Sequence, residues 1–152
     1  MTPQEAADRA KLLGAWRLLT WESIGEDGTI DQPMGADPDG VVVYTPDGTM
    51  MTTLGRSGRT PITGGDVLAG PDDERLAAFG SFIAYQSRFR MDGGDVIHEV
   101  EMSLFPNWVG SAQRRHVELS PDGRSLVLSS DPILVRGRMS RQRLAWERIT
   151  RE

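Results

Sequence analysis

The chain contains no cysteine, and only two histidines and two tyrosines among its 152 residues. Without thiols there is no disulfide framework, no thiol nucleophile and no thiolate metal site. Two histidines, His98 and His116, are too few for a histidine-rich metal centre, so no metal is expected. No run of about 18 apolar residues occurs. The opening residues, MTPQEAADRAKLLG, carry charges where an export signal needs an apolar core. A cytoplasmic protein without a membrane partner is therefore expected. Basic residues are outnumbered, 17 against 22, for a net charge of -5. With no basic run, that balance excludes nucleic acid as the expected partner. The imbalance is uneven, since residues 1–85 hold six basic and 13 acidic side chains and residues 86–152 hold 11 and nine.

What the chain does have is turn chemistry. Pro-Asp-Gly occurs at 38–40, 46–48 and 121–123, and each tripeptide is expected to reverse the chain between strands. Glu26-Asp27-Gly28 and Asp92-Gly93-Gly94 read the same way. Between these signals lie short runs of period-two alternation, nine or ten strands in all, which indicates an all-β sandwich or barrel. Thr2-Pro3-Gln4-Glu5 has capping-box spacing and predicts a helix to about Leu13, with Gly14 as its stop. A second helix is expected after Pro71, with Leu76, Phe79 and Ile83 as an apolar stripe against the core and residues 55–70 as a loop. The length fits one domain over residues 1–152, large enough for a core and a cavity.

Alternation then assigns side chains to faces. In Ala15–Ser23, Trp16, Leu18 and Thr20 share one face and Arg17, Leu19 and Trp21 the other. The second face is apolar enough to imply a cover or a partner over Trp21. In 41–45 and 49–55, Tyr44, Met50 and Thr52 point inwards. Tyr85, Ser87, Phe89 and Met91 share a face opposite Gln86, Arg88 and Arg90. The densest mixture of polar and apolar pattern is Asp95–Leu119, two strands joined by a turn at Pro106, Asn107, Trp108 and Gly110. There Val96, His98, Val100, Met102 and Leu104 share a face, as do Gln113, Arg115, Val117 and Leu119. His98 and Arg115 are thus expected on the inside, with Glu99, Glu101, Arg114 and His116 outside. If a cavity exists, Tyr44, Tyr85, His98 and Arg115 form its polar set, Met50, Thr52, Phe89, Val100 and Met102 its walls, and Trp108 covers an end.

Leu13-Gly14-x-Trp16-x-Leu18, Asp27-Gly28, Tyr44-Thr45-Pro46-Asp47-Gly48, Tyr85, His98 with Glu101, Pro106-Asn107-Trp108-x-Gly110, Arg115 and Trp146-x-Arg148 together resemble the bacterial and fungal lipocalin-like domain family. The resemblance implies an antiparallel up-and-down β-barrel, lipocalin-like, with the first and last strands paired and Arg148 or Trp146 packed against Trp16. It implies a small hydrophobic or amphipathic ligand in the barrel and no cofactor. Ser87 departs from the family pattern, which favours glycine there. Members of the family stand alone or beside natural-product pathways, and some related barrels isomerise or cyclise their substrates. Small-molecule binding is the expected function. The alternative is a cofactor-free isomerase or cyclase with His98 and Arg115 as catalytic groups. A homo-oligomer is compatible with both.

Overall fold

The computed structural model describes residues 1–151. Helix α1 (Pro3–Leu12) is followed by strands β1 (Gly14–Gly25), β2 (Ile30–Asp31), β3 (Asp39–Tyr44) and β4 (Thr49–Gly55). After helix α2 (Asp72–Gly80) come β5 (Phe82–Asp92), β6 (Asp95–Ser103), a 3-10 turn at Pro106–Trp108, β7 (Ala112–Leu119), β8 (Ser125–Ser129), β9 (Ile133–Val135) and β10 (Arg138–Arg148). All pairings are antiparallel, in the order β2-β1-β3-β4-β5-β6-β7-β8-β10-β9, and β1 also pairs with β10. That last pairing closes an eight-stranded barrel of β1, β3, β4, β5, β6, β7, β8 and β10, and closure removes the unpaired edges that an open sheet would expose. The short β2 and β9 lie outside the ring.

One end of the barrel is sealed by α1. Thr2 and Glu5 form the expected capping box, with Thr2 Oγ1 accepting from the Glu5 amide and Glu5 Oε2 accepting from the Thr2 amide. The other oxygen of Glu5 accepts from the Gly93 amide in the β5–β6 turn, which ties the helix to the rim. Leu12 is buried, and its carbonyl accepts from Trp16 Nε1 at 3.0 Å. Leu13 is the capping residue and Gly14 follows it with positive φ, the expected glycine stop. Its φ of +117° turns the chain into β1, and a Cβ there would lie 2.8 Å from Arg148 Nη1. Glycine is needed at 14 both for backbone direction and for room.

Two of the three Pro-Asp-Gly tripeptides make the expected reversals, β3–β4 at Gly48 and β7–β8 at Gly123, both with positive φ. The tripeptide at 38–40 does not. Asp39 and Gly40 already belong to β3, and Gly40 is glycine because a Cβ would press on Thr53 O and the side chain of Leu18 at 3.0–3.1 Å.

The alternation expected for β1 holds only to Leu18. Register shifts between Leu18 and Thr20 against β10. A bulge moves every later side chain to the other face, so Trp21 and Ser23 are buried inside instead of waiting for a partner outside. A second shift, between Gln86 and Ser87, breaks the β5–β6 ladder between Val100 and Met102. Val100 is buried and Met102 is 69% exposed, so Met102 is not a wall residue. Helix α2 departs from expectation too: it buries nothing, with Leu76 73% and Phe79 50% exposed. Its stripe is not core, and Ile83 belongs to β5.

Candidate functional site

The ends of the barrel differ in how they are finished. The end carrying the β3–β4, β5–β6 and β7–β8 turns is the one under α1. At the opposite end, where β4 stops and β5 starts, a cavity of about 60 Å³ runs into the barrel. Its apolar walls include Val42, Leu54, Ile83, Leu128 and Trp146, and its polar edge is formed by Tyr85, His98 and Arg115. Thr52, Met50 and Trp108 line it as the alternation indicates. Phe89 and Val100 are buried in the core and do not reach the cavity. Tyr44 is buried behind it, outside the lining, with its hydroxyl on His98.

His98 is held between two phenols. Its Nε2 is 2.8 Å from Tyr44 Oη and its Nδ1 is 2.9 Å from Tyr85 Oη. Each of the three side chains comes from a different strand, β3, β5 and β6, so the barrel wall brings together residues as much as 54 positions apart. Burial holds His98 well below the usual imidazole pKa, and the Arg115 guanidinium adds to the effect. The ring is neutral. Burial likewise raises both phenols, Tyr44 most strongly, while Arg115 partly offsets the rise at each. Arg115 donates to Gln113 Oε1 at 2.7 Å and to the Arg114 carbonyl at 3.0 Å. No carboxylate pairs with it among the described residues. Tyr85 also packs edge-on against Trp108, with ring centroids 5.5 Å apart, and Trp108 packs in the same manner against Phe105. Trp108 thus closes the open end over Tyr85.

A second polar group lies across the barrel. Gln142 Oε1 accepts from Trp21 Nε1 at 2.7 Å, and Gln142 Nε2 donates to Ser23 Oγ and to Ser140. Its members are buried and mutually satisfied. Gln142 and Trp21 line the cavity, yet neither stands out in the sequence. Gln142 shares a strand face with Leu144 and Trp146, and that was its available signal. Trp21 had none, because the bulge is not written in the composition.

On the outside, Glu99 pairs with Arg90 and Glu101 with Arg88, while Arg114 pairs with Asp92 and Asp95. His116 bridges Asp95 and Asp131 at 3.1 and 3.0 Å. Among the described residues no three His, Cys, Asp or Glu side chains are placed to hold a metal ion, and no helix is long and apolar enough to cross a membrane. A larger surface cleft, about 620 Å³, lies between residues 56–61 and α2, but it is open to solvent and offers no buried polar group.

A known family pattern agrees with this architecture. The lipocalin-like domain family pattern matches residues 13–149. The chain is 34% identical to a 4'-hydroxy-3'-methoxypropiophenone carrier protein of Aspergillus oryzae, over 67% of this chain and 98% of that protein. An uncharacterized protein from Bacteroides eggerthii superposes with a TM-score of 0.47 at 11% identity, over 91% of this chain and 99% of that one.

Proposed function

The chain belongs to the lipocalin-like domain family, and from that premise we propose that it binds a small amphipathic molecule inside its barrel and carries it without making or breaking a bond. The observation that carries this reading is the cavity itself, apolar on most of its wall with buried His98 and Tyr85 and half-buried Arg115 at one side. Such a surface accommodates a flat apolar body and fixes the position of one oxygen. The Aspergillus relative is named as the carrier protein of a phenolic ketone, a molecule of that shape, and this supports the same class of ligand here.

The cavity of about 60 Å³ is smaller than the roughly 150 Å³ in which an engineered protein cavity holds benzene. Loading therefore widens it. Trp108 is the side chain placed to give way, because it is half-buried, sits on a single 3-10 turn and covers Tyr85 from the open end. The isomerase or cyclase alternative has no comparable support. A catalytic base needs a free lone pair towards its substrate, and both ring nitrogens of His98 are engaged by phenols.

Titration with 4'-hydroxy-3'-methoxypropiophenone, followed by the fluorescence of Trp21, Trp108 and Trp146, tests the proposal. Saturable one-to-one quenching is expected, weakened at least tenfold by Leu144→Phe, which narrows the cavity. No saturable response to this ketone, to simpler aryl ketones or to an apolar naphthalene dye would overturn it.

A further inference from the structure

The hydrogen-bond chain through His98 has a direction, and the packing around its two ends decides which. A neutral imidazole carries one proton, so one ring nitrogen donates and the other accepts. Two arrangements are available. In the first, Tyr85 donates to Nδ1 and Nε2–H donates to Tyr44. In the second, Tyr44 donates to Nε2 and Nδ1–H donates to Tyr85. They differ in which phenol keeps a hydrogen to spare.

Tyr44 is 1% exposed, lies outside the cavity and has His98 Nε2 as its hydroxyl's partner, with no other acceptor among the described residues. The first arrangement leaves its hydrogen buried without an acceptor, at a cost of about 1–3 kcal/mol. The second leaves the spare hydrogen on Tyr85, which lines the cavity and can offer it to whatever occupies that space. The asymmetry of burial favours the second.

An independent observation has the same polarity. Trp146 is 3% exposed and lines the same cavity, and its indole Nε1–H has no hydrogen-bond partner among the described residues. Trp146 is on β10 and Tyr85 on β5, four strands apart around a ring of eight and hence on opposite walls. The cavity therefore presents an unfilled donor from each side, and Arg115, held by Gln113 and the Arg114 carbonyl with no carboxylate partner among the described residues, adds positive charge at the Tyr85 wall.

We infer that donation runs from Tyr44 through His98 to Tyr85, and that Tyr85 is a specificity-determining residue whose hydroxyl donates to the carbonyl oxygen of an uncharged ketone or aldehyde. The ligand half of this inference rests on reading the cavity as the binding site, whereas the direction of the chain does not. A phenol that already accepts from His98 is a stronger donor than a free one, because each bond in such a chain polarises the next. A ligand of the right shape with a methylene in place of the carbonyl would leave the Tyr85 hydrogen buried and unpaired, so it is discriminated against.

Two measurements on the intact protein test this. Long-range ¹⁵N–¹H spectra of His116→Gln, which leaves His98 as the single histidine, are expected to show the proton on Nδ1 at neutral pH. A proton on Nε2 overturns the inference. Calorimetric titration with 4'-hydroxypropiophenone and 4-propylphenol, which differ by the carbonyl, is expected to show a preference of roughly tenfold for the ketone, the size of one buried neutral hydrogen bond. Tyr85→Phe should erase that preference, by weakening the ketone and by relieving the penalty against 4-propylphenol. A preference that is absent, or that survives Tyr85→Phe, overturns the assignment to Tyr85. Failure of both probes to bind overturns the ligand half together with the carrier proposal, and the spectrum still decides the direction, so the two failures are told apart.

Discussion

The guanidinium of Arg148 lies over the indole of Trp16, 4.1 Å from the ring centroid. Its N–H groups donate to the carbonyls of Lys11, Leu13 and Gly123. One side chain on the last strand thus holds the end of α1, the start of β1 and the β7–β8 turn.

That placement makes Arg148 a closure residue. Arg148→Ala removes a cation–π contact and three charge-assisted hydrogen bonds from a half-buried site, and is expected to destabilise the barrel by about 2–4 kcal/mol in urea unfolding. Arg148→Lys should recover little of this, since a point charge cannot satisfy three carbonyls in a fixed fork. Gly14→Ala should approach the same loss by crowding Arg148 and forcing alanine to a φ of +117°.

Gln142 supports the opposite wall. Removing its amide in Gln142→Ala leaves Trp21 Nε1–H without its acceptor and loosens the hydroxyls of Ser23 and Ser140. A loss of about 3 kcal/mol is expected, because a buried network that is only partly satisfied is worse than an apolar one. Gln142→Glu keeps the shape and turns the Nε2 donors into acceptors, so it should be at least as damaging. Equal stability of wild type and both variants would contradict the account.

The two histidines should give opposite slopes of stability against pH. His98 has its pKa lowered by burial, so below its unfolded value near 6.5 the unfolded chain binds a proton that the folded chain refuses. It costs stability as pH falls through that value. His116 is raised by its hydrogen bonds to Asp131 and Asp95, so its contribution is full below the unfolded pKa and is lost as pH rises through the folded one. Chemical denaturation of His98→Gln and His116→Gln between pH 5 and 8 separates them. Relative to wild type, the first should lose less on acidification and the second should be weakest at the acid end and equal to wild type at the alkaline end.

How much of this could be read from the sequence depended on whether a strand was bulged. Tyr85, Ser87, Phe89 and Met91 are all buried, as alternation places them, and so are Val96, His98 and Val100. The polar set of Tyr44, Tyr85, His98 and Arg115 follows from the same rule plus antiparallel order. Met102 and Trp21 were misplaced because each lies just beyond a register shift, and a bulge is settled by the neighbouring strand, not by local composition. Leu76 and Phe79 misled for another reason. Helical spacing shows that a stripe exists and says nothing about whether anything covers it. Ser87, the departure from the family's glycine, is fully buried beside the bulge and donates to Met50 Sδ at 3.3 Å, so the hydroxyl is accommodated without an orphaned group.

The bulge after Leu18 splits β1 into two segments with opposite phase, Trp16 and Leu18 inward before it, Trp21 and Ser23 inward after it. Tolerance to substitution along this strand should follow the same break, with sensitive positions even-numbered up to 18 and odd-numbered from 21. Deleting one residue at 19 would bring the two segments into a single phase with Trp16, Leu18, Trp21 and Ser23 all inward, and would remove the local bend and added twist that the bulge gives the strand.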